Sequence, residues 1–299
     1  MEEINKLDTV DQYNKLFGFE TLHPLVSVVD LSKATKWVTH SRITYGVYTL
    51  FLKETRCGDI RYGRKPYDYQ EGTVVCFAPG QVVTTVMDEG TRPSAYGLIF
   101  HPDLIKGTSL GKEIKNYSFF SYDSTEALHL SEQERGIIMD CLEKIRIELG
   151  HPIDNHSKRL ISRNIELLLD YCMRFYERQF TSRSEANKDV LVKFEQLLDE
   201  YYQDEQLRRE GLPTVKYFAD KICLSPNYFG DLIKKETGKT AQEYIQNKII
   251  DLAKEWILGS SKTVTEIAYE LGFQYPQHFN RSFKKGVGCT PNEYRKQQA

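Results

Sequence analysis

The 299-residue sequence lacks several features that mark other classes of protein. No run of residues approaches the roughly 18 consecutive apolar residues of a membrane-spanning helix. The six cysteines lie far apart and form no C-x-x-C pair, so they give no zinc or redox motif and suit free thiols in a reducing cytoplasm. The acidic, polar start of the chain does not resemble a secretory signal. We therefore predict a cytoplasmic protein without a membrane partner.

A strong excess of positive charge is also lacking, because the whole chain carries a net charge of -2. The charge is unevenly divided, however. Residues 213–299 contain 13 Lys and Arg against 9 Asp and Glu, a net charge of +4, which leaves -6 for residues 1–212. Such an asymmetry is a mild indication that the C-terminal part has an anionic partner. A solvated charged surface would explain it equally well.

The last hundred residues contain an internal repeat. Residues 215–244 match residues 264–294, first at a lag of 49 and then, after one inserted residue, at a lag of 50. The matched positions of the first copy are Val215, Ala219, Ile222, Phe229, Lys234, Lys235, Gly238, Thr240, Glu243 and Tyr244. So many matches in one register indicate a duplicated structural unit.

Each copy has the pattern of two short helices joined by a tight turn. Apolar residues recur at i, i+3, i+4 and i+7 from Val215 and from Val264, and residues 223–225 and 272–274 form the predicted turns. Ser225 before Pro226 is a typical helix start, and three T-x-x-E capping boxes begin at residues 240, 263 and 290. A helix over residues 240–258 would join the two units. The same pattern would also serve a plain helical bundle.

Three segments carry a resemblance to a known family. The segments I-A-Y-E-L-G-F (267–273), F-x-R-x-F-K-K (279–285) and G-x-T-P-x-x-Y-R (288–295) resemble the signature of the AraC/XylS transcription regulators, and the likeness extends over roughly residues 189–295. The resemblance implies a DNA-binding transcriptional regulator whose two helix-turn-helix units enter successive major grooves of double-stranded DNA. It also implies an N-terminal effector-binding or dimerising domain.

The exposed faces of the two recognition helices supply the predicted DNA contacts. We expect base contacts from Asn227, Tyr228 and Asp231 in the first unit and from Pro276, Gln277, His278 and Arg281 in the second. Asp231 departs from the basic residue common in relatives, so it either accepts from a cytosine amino group or weakens that contact. We expect phosphate contacts from Lys234, Lys235, Lys239, Lys284 and Lys285 and from the helix starts at Thr240 and Thr290.

The N-terminal half is rich in strand-like segments, at residues 25–31, 43–56, 73–78 and 95–100. Residues 71–81 resemble the strand and turn of a cupin barrel, which implies an interior that binds a small-molecule effector. Candidate lining residues are Tyr45, Val47, Tyr48, Phe77 and Tyr96, although ordinary core packing would explain each of them.

A cupin-type metalloenzyme is the alternative function. A metal site of that kind needs several histidines and a carboxylate. No H-x-H pair occurs, and Val82, Val83 and Thr84 occupy the place of a ligand histidine. His23, His40 and His101 are isolated. We therefore predict no metal, no cofactor and no catalytic residue. An inert scaffold protein is the remaining alternative.

The predicted architecture is an α+β chain of two domains. Residues 1–130 form a cupin-like β-barrel with flanking helices, and residues 131–183 supply two helices (131–149 and 155–180) and lead into a linker that runs over residues 181–188. Residues 188–299 form the all-α domain with two helix-turn-helix units. The two helices either pack on the barrel or form a homodimer interface, and the transcription machinery is a further expected partner.

Overall fold

A computed structural model describes residues 4–36, 40–53, 61–62, 65–66, 72–86, 94–203 and 206–298. The chain forms two compact units, Met1–Ser182 and Arg183–Ala299. The first contains sheets and helices, whereas the described residues of the second form helices alone. An N-terminal sheet region followed by a helical C-terminal region is the arrangement that the sequence predicts.

The first unit alternates strands with short helices before it ends in two long helices. In chain order its elements are β1 (Ile4–Leu7), α1 (Val10–Phe17), β2 (Val26–Asp30), β3 (His40–Tyr45), β4 (Tyr48–Lys53), β5 (Arg61–Tyr62), β6 (Lys65–Pro66), β7 (Thr73–Phe77), β8 (Val82–Val86), β9 (Ala95–Phe100), α2 (Pro102–Ile105), α3 (Ser109–Glu113), β10 (Leu128–His129), α4 (Glu132–Leu149) and α5 (Ser157–Ser182).

The described strands lie in two main sheets and one small one. The three-stranded sheet has the order β1-β3-β8, with β1 parallel and β8 antiparallel to β3. The five-stranded sheet is antiparallel throughout and has the order β10-β7-β4-β9-β2, and β5 pairs with β6. The strand predicted at residues 43–56 is divided by a turn at residues 46–47, because β3 and β4 belong to different sheets.

Both faces of the five-stranded sheet are buried. Phe51 pairs with Val75, and Ile99, which pairs with Thr49, lies on the same face; all three join residues of β1, α1 and β3 in a common hydrophobic core. The residues that alternate with them, such as Leu50 and Leu98, are fully buried on the opposite face. Helices α4 and α5 pack against each other and contact the two edge strands, β2 and β10.

This alternation separates the five predicted effector-lining residues. Tyr45, Val47 and Phe77 belong to the core between the two main sheets, where the rings of Tyr45 and Phe77 stack with centroids 6.3 Å apart. Burial raises the pKa of Tyr45 to about 12. Tyr48 and Tyr96 pair with Phe100 and Leu52 and therefore lie on the opposite face of the five-stranded sheet. The prediction that all five line one interior is wrong, because residues of opposite strand parity face opposite sides.

The long helices of the first unit bury one broad stripe each. Ser131 caps α4 and shares a capping box with Glu134, as predicted. The apolar face of α5 is buried from Ile161 to Tyr176. Leu160, next to Ile161 on the same helix, is 43% exposed.

The second unit contains eight described helices. They are α6 (Ser184–Gln203), α7 (Gln206–Glu210), α8 (Val215–Ile222), α9 (Pro226–Thr237), α10 (Ala241–Gly259), α11 (Val264–Glu270), α12 (Pro276–Val287) and α13 (Pro291–Gln298). We refer to α8 with α9 as the first helix pair and to α11 with α12 as the second. The linker predicted at residues 181–188 is helical except at Arg183, where the second unit begins.

The two helix pairs have separate aromatic cores. In the first pair, Phe194 of α6 contacts Phe218 and Phe229, each with ring centroids 5.1 Å away. In the second pair, Phe283 packs against Phe279 and Tyr294 at 5.8 and 5.6 Å. Helix α10 contributes buried residues along its length and contacts helices of both pairs. The first helix pair therefore depends on α6, a helix that precedes the repeat.

The turns inside the two pairs each contain a residue with positive φ. Cys223 has φ 62° and Gly272 has φ 77°, and these residues occupy equivalent positions of the repeat. The first turn spans residues 223–225 as predicted, whereas the second spans 271–275 and is two residues longer than predicted.

Candidate DNA-binding surface

Helix α12 presents a polar and basic face along its length. It begins at Pro276, and Phe279 and Phe283 anchor it in the core one turn apart. Gln277, His278 and Arg281 are exposed, as are Lys284 and Lys285 in the last turn. The spacing of these five residues places them on the side of the helix away from its two buried phenylalanines. The structure therefore brings the predicted residues of α12 together on one surface, with Pro276 half-buried at its start.

Helix α9 presents a narrower polar face than α12. Ser225 caps it, and its hydroxyl accepts a hydrogen bond from the backbone N–H of Tyr228 at 3.2 Å. Asn227, Lys234 and Lys235 are exposed and Asp231 is half-buried. The first pair therefore offers one acidic group where the second pair offers Arg281.

The prediction that Tyr228 contacts a DNA base is wrong for this conformation, because its side chain is fully buried. Tyr228 and Leu232 form a second buried row on α9 beside Phe229 and Ile233. In α12 the positions equivalent to Tyr228 and Leu232 hold His278 and Ser282, so that row is polar there. The apolar Leu232 one turn after Tyr228 was the sequence signal for burial.

The lysines of the surface are free to meet an anion. Lys234, Lys235, Lys284 and Lys285 are all exposed, and in the described part of the chain none of them forms an ion pair. Lys239 is also exposed, in the connection between α9 and α10. These side chains can therefore reach phosphates without first breaking an internal salt bridge.

The backbone N–H groups of Thr240 and Thr290, directly before α10 and α13, already donate to carboxylates. The backbone N–H of Thr240 donates to Glu243 Oε2 at 2.9 Å, and that of Thr290 donates to Glu293 Oε2 at 2.7 Å. Hydrogen bonds from the backbone and hydroxyl of Thr240 lower the pKa of Glu243, and the charges of Lys285 and Lys234 lower it further. The N–H groups of Thr240 and Thr290 themselves are therefore occupied, and phosphate contacts at these two helix starts stay a prediction.

Two side chains near this surface were not among the predicted contacts. Tyr275 precedes α12 and is 54% exposed, and its ring meets the edge of His278 with centroids 5.4 Å apart. Its position directly before a helix-starting proline was the available sequence signal. Arg295 has a structural role, because its guanidinium donates to the carbonyls of Ile257 and Lys262, both at 2.8 Å, and so fixes α13 to the end of α10.

The described residues contain neither a cluster of metal-ligating side chains nor a helix that could span a membrane. Within that part of the chain, no three histidine, cysteine or carboxylate side chains are placed to share a metal ion. No helix among the same residues has both the length and the apolar character that a membrane span requires.

Comparison with known proteins places the chain in a family. Residues 218–297 match the family model described as a helix-turn-helix domain. The chain is 31% identical over 145 residues to the Transposon Tn10 TetD protein of Escherichia coli, a match that covers 48% of this chain and 91% of TetD. The chain belongs to the AraC family of transcriptional regulators.

The chain is also similar to other proteins over different lengths. The HTH-type transcriptional regulator YijO of Escherichia coli is 27% identical over 197 residues, which is 62% of this chain and 64% of YijO. The solved C-terminal domain of the response regulator YesN from Fusobacterium nucleatum is 29% identical and covers 36% of this chain and 98% of that domain, with a TM-score of 0.32. The chain spans between 11% and 64% of the length of YijO and two Bacillus subtilis regulators that it matches.

Proposed function

We propose that this AraC-family protein regulates transcription by binding double-stranded DNA through both helix pairs, each acting as a helix-turn-helix unit. The exposed face of α12, with Gln277, His278 and Arg281 beside Lys284 and Lys285, is the observation that carries this proposal. Helices α9 and α12 are the recognition helices and enter adjacent major grooves.

Base recognition comes chiefly from α12. The amide of Gln277 pairs with adenine and the guanidinium of Arg281 with guanine, because each side chain matches the two edge groups that its base presents in the major groove. Each such pair discriminates against the wrong base by about 1–3 kcal/mol. In α9, Asn227 contacts a base edge and Asp231 accepts from a cytosine amino group, so the two units read different bases.

Phosphate contacts come from the exposed lysines of both units. Lys234 and Lys235 end α9 and Lys284 and Lys285 end α12, so each recognition helix carries a basic pair at its C-terminal end. Helix α10 contains 19 residues, which gives a length of about 28 Å. That length suits a rigid spacer between two helices that enter grooves about 34 Å apart.

The first unit controls this binding in the proposed scheme. Its two-sheet core is consistent with a cupin-like domain that takes a small-molecule effector, although the five residues predicted to line a pocket do not share a face. Formation of a homodimer and contact with the transcription machinery complete the proposal. The exposed leucines of α5 support the homodimer.

Two substitutions on α12 test the proposed roles. Arg281→Ala should weaken binding to a selected site by about 1–3 kcal/mol and relax the preference at one base position. Lys284→Ala should weaken binding to all DNA sequences to a similar extent. It should also reduce the slope of the logarithm of affinity against the logarithm of salt concentration by about one. Binding is measured by titration of labelled duplexes at several salt concentrations.

Lys144→Ala is the matched control, because Lys144 is an exposed lysine of α4 in the first unit. It should change neither the base preference nor the salt slope. If Arg281→Ala left both affinity and base preference unchanged, the assignment of α12 as a base-reading helix would be wrong.

A further inference from the structure

Tyr275 exposes a large aromatic ring directly before α12, at the start of the proposed DNA-binding face. Its side chain is 54% exposed. The ring meets that of His278 edge-on, with centroids 5.4 Å apart and an angle of 66° between the planes. His278 is itself exposed and lies one turn before the exposed Arg281, on the same side of the helix. Tyr275 therefore extends this face beyond the N-terminal end of α12.

The two copies of the repeat use this position differently. Its equivalent in the first pair is Ser225, which is buried and whose hydroxyl accepts from the backbone N–H of Tyr228 at the start of α9. The side chain of Tyr275 accepts no hydrogen bond from the first turn of α12, all of which lies in the described part of the chain. Serine is a favoured residue at a helix start, whereas tyrosine is not. The second copy therefore lacks this helix cap and carries an exposed aromatic ring in its place.

The ring of Tyr275 is held in place before any ligand arrives. A residue that precedes a proline is confined to extended conformations, and Tyr275, which precedes Pro276, has φ −131° and ψ 122°. The contact with His278 holds the side chain from the side of the helix. Because the ring is already ordered, contact with a ligand would cost little conformational entropy.

The chemistry of the major groove indicates what this ring contacts. The N-terminal residues of a recognition helix lie nearest to the base edges, and the apolar group that a base presents there is the C5 methyl of thymine. We propose that Tyr275 contacts the methyl group of a thymine beside the base pair that Gln277 reads. The second pair thereby gains a preference for thymine that the first pair, with Ser225, does not have. The proposal rests on the DNA-binding function proposed above.

The test removes the methyl group from the DNA. The full-length protein first selects a duplex site from a random pool. Each thymine of that site is then replaced singly by deoxyuridine, which lacks only the C5 methyl, and titration of the labelled duplexes measures the affinities. We expect one replacement, close to the base pair whose preference Arg281→Ala relaxes, to weaken wild-type binding about fourfold, the effect of burying one methyl-sized group.

Two substitutions assign the methyl contact to Tyr275. Tyr275→Ser should bind the thymine and deoxyuridine duplexes equally, and it should fold because serine is the cap of the first pair. Tyr275→Phe keeps the ring and should keep the fourfold difference, whereas a contact made by the tyrosine hydroxyl would be lost. Tyr269→Ser is the matched control, because Tyr269 of α11 is exposed to the same extent as Tyr275. It should leave the difference unchanged.

Two results would overturn the proposal. One is a wild-type protein that binds every deoxyuridine duplex as tightly as the thymine duplex, and the other is a fourfold difference that persists in folded Tyr275→Ser. Both leave the proposed function intact, because each starts from a site that the wild-type protein has selected. A wild-type chain that selects no site would overturn the proposed function and this proposal with it.

Discussion

At the scale of single residues, the two copies of the repeat place different residue types at the same left-handed turn position. Both helix pairs turn through a residue in the left-handed region, which is Gly272 in the second pair and Cys223 in the first. That region costs a residue with a side chain about 1–2 kcal/mol, whereas glycine enters it freely. The first pair therefore retains a local strain that the second pair avoids.

Removal of this backbone strain should raise the free energy of unfolding. Cys223→Gly should stabilise the protein by about 0.5–1 kcal/mol, because the gain in backbone conformation exceeds the entropy that glycine adds to the unfolded chain. Urea unfolding followed by circular dichroism measures the change. A clear loss of stability would show that the Cys223 side chain, rather than its backbone, decides this position.

The opposite substitution in the second pair should be costly. A Cβ on Gly272 would lie 2.8 Å from the carbonyl oxygen of Leu207 and 2.9 Å from the carbonyl carbon of Gly211, both backbone atoms. Gly272→Ala should therefore cost more than Gly288→Ala, since Gly288 also has positive φ but nothing within 4 Å of its added Cβ. We expect the difference to be about 1–3 kcal/mol in urea unfolding, and equal losses would contradict the close approach.

The exposed face of α12 was predictable residue by residue, whereas that of α9 was not. In α12 the apolar residues recur in one narrow row, so the polar positions between them could be assigned from the sequence. In α9 the buried face is wider and includes Tyr228. Whether Tyr228 is buried depends on the neighbouring helices that cover it. The hydrogen bonds from Thr240 and Thr290 to carboxylates could be predicted from the capping boxes in the sequence. Their effect on phosphate binding could not be predicted in this way.

At the scale of elements, local signals located the helices well. The capping boxes at residues 131, 240 and 263 mark the starts of α4, α10 and α11 in the structure. Strands were harder to delimit, because β3 and β4 form one β-rich run in the sequence and separate only through pairing with different sheets. Strand β8 was not predicted, because its place depends on pairing with β3. Helix α1 was missed although a capping box of Thr9 and Gln12 marks its start.

Helix α5 has two leucines that remain partly exposed to solvent within its own unit. Leu160 and Leu167 lie two turns apart and are 43% and 40% exposed, opposite the buried stripe of the same helix. If α5 forms the proposed homodimer interface, Leu160→Gln with Leu167→Gln should shift the native mass in analytical ultracentrifugation from dimer toward monomer. Leu258→Gln, at a leucine of α10 that is 49% exposed, is the control and should leave the mass unchanged.

A wild-type chain that sediments as a monomer at micromolar concentration would contradict the homodimer itself. A dimer that persists in the double variant would instead place the interface elsewhere on the protein. Either result would leave the roles proposed for α9 and α12 intact, because these helices belong to the other compact unit.

At the scale of the whole molecule, the division into a sheet-containing unit and a helical unit follows from the change of sequence pattern along the chain. The repeat and its motifs identify the AraC family from the C-terminal residues, and the family match covers that same region. The cupin-like character of the first unit remains a prediction, because a short strand-and-turn likeness does not determine how two sheets enclose a core.

The central claim is that both helix pairs read DNA, and selection of bound duplexes from a random pool tests it most directly. The full-length protein should enrich two short motifs about ten base pairs apart, and its affinity for them should fall steeply with salt. Enrichment of one motif alone would restrict base reading to a single pair. No enrichment together with salt-independent binding would contradict the claim that this surface binds DNA.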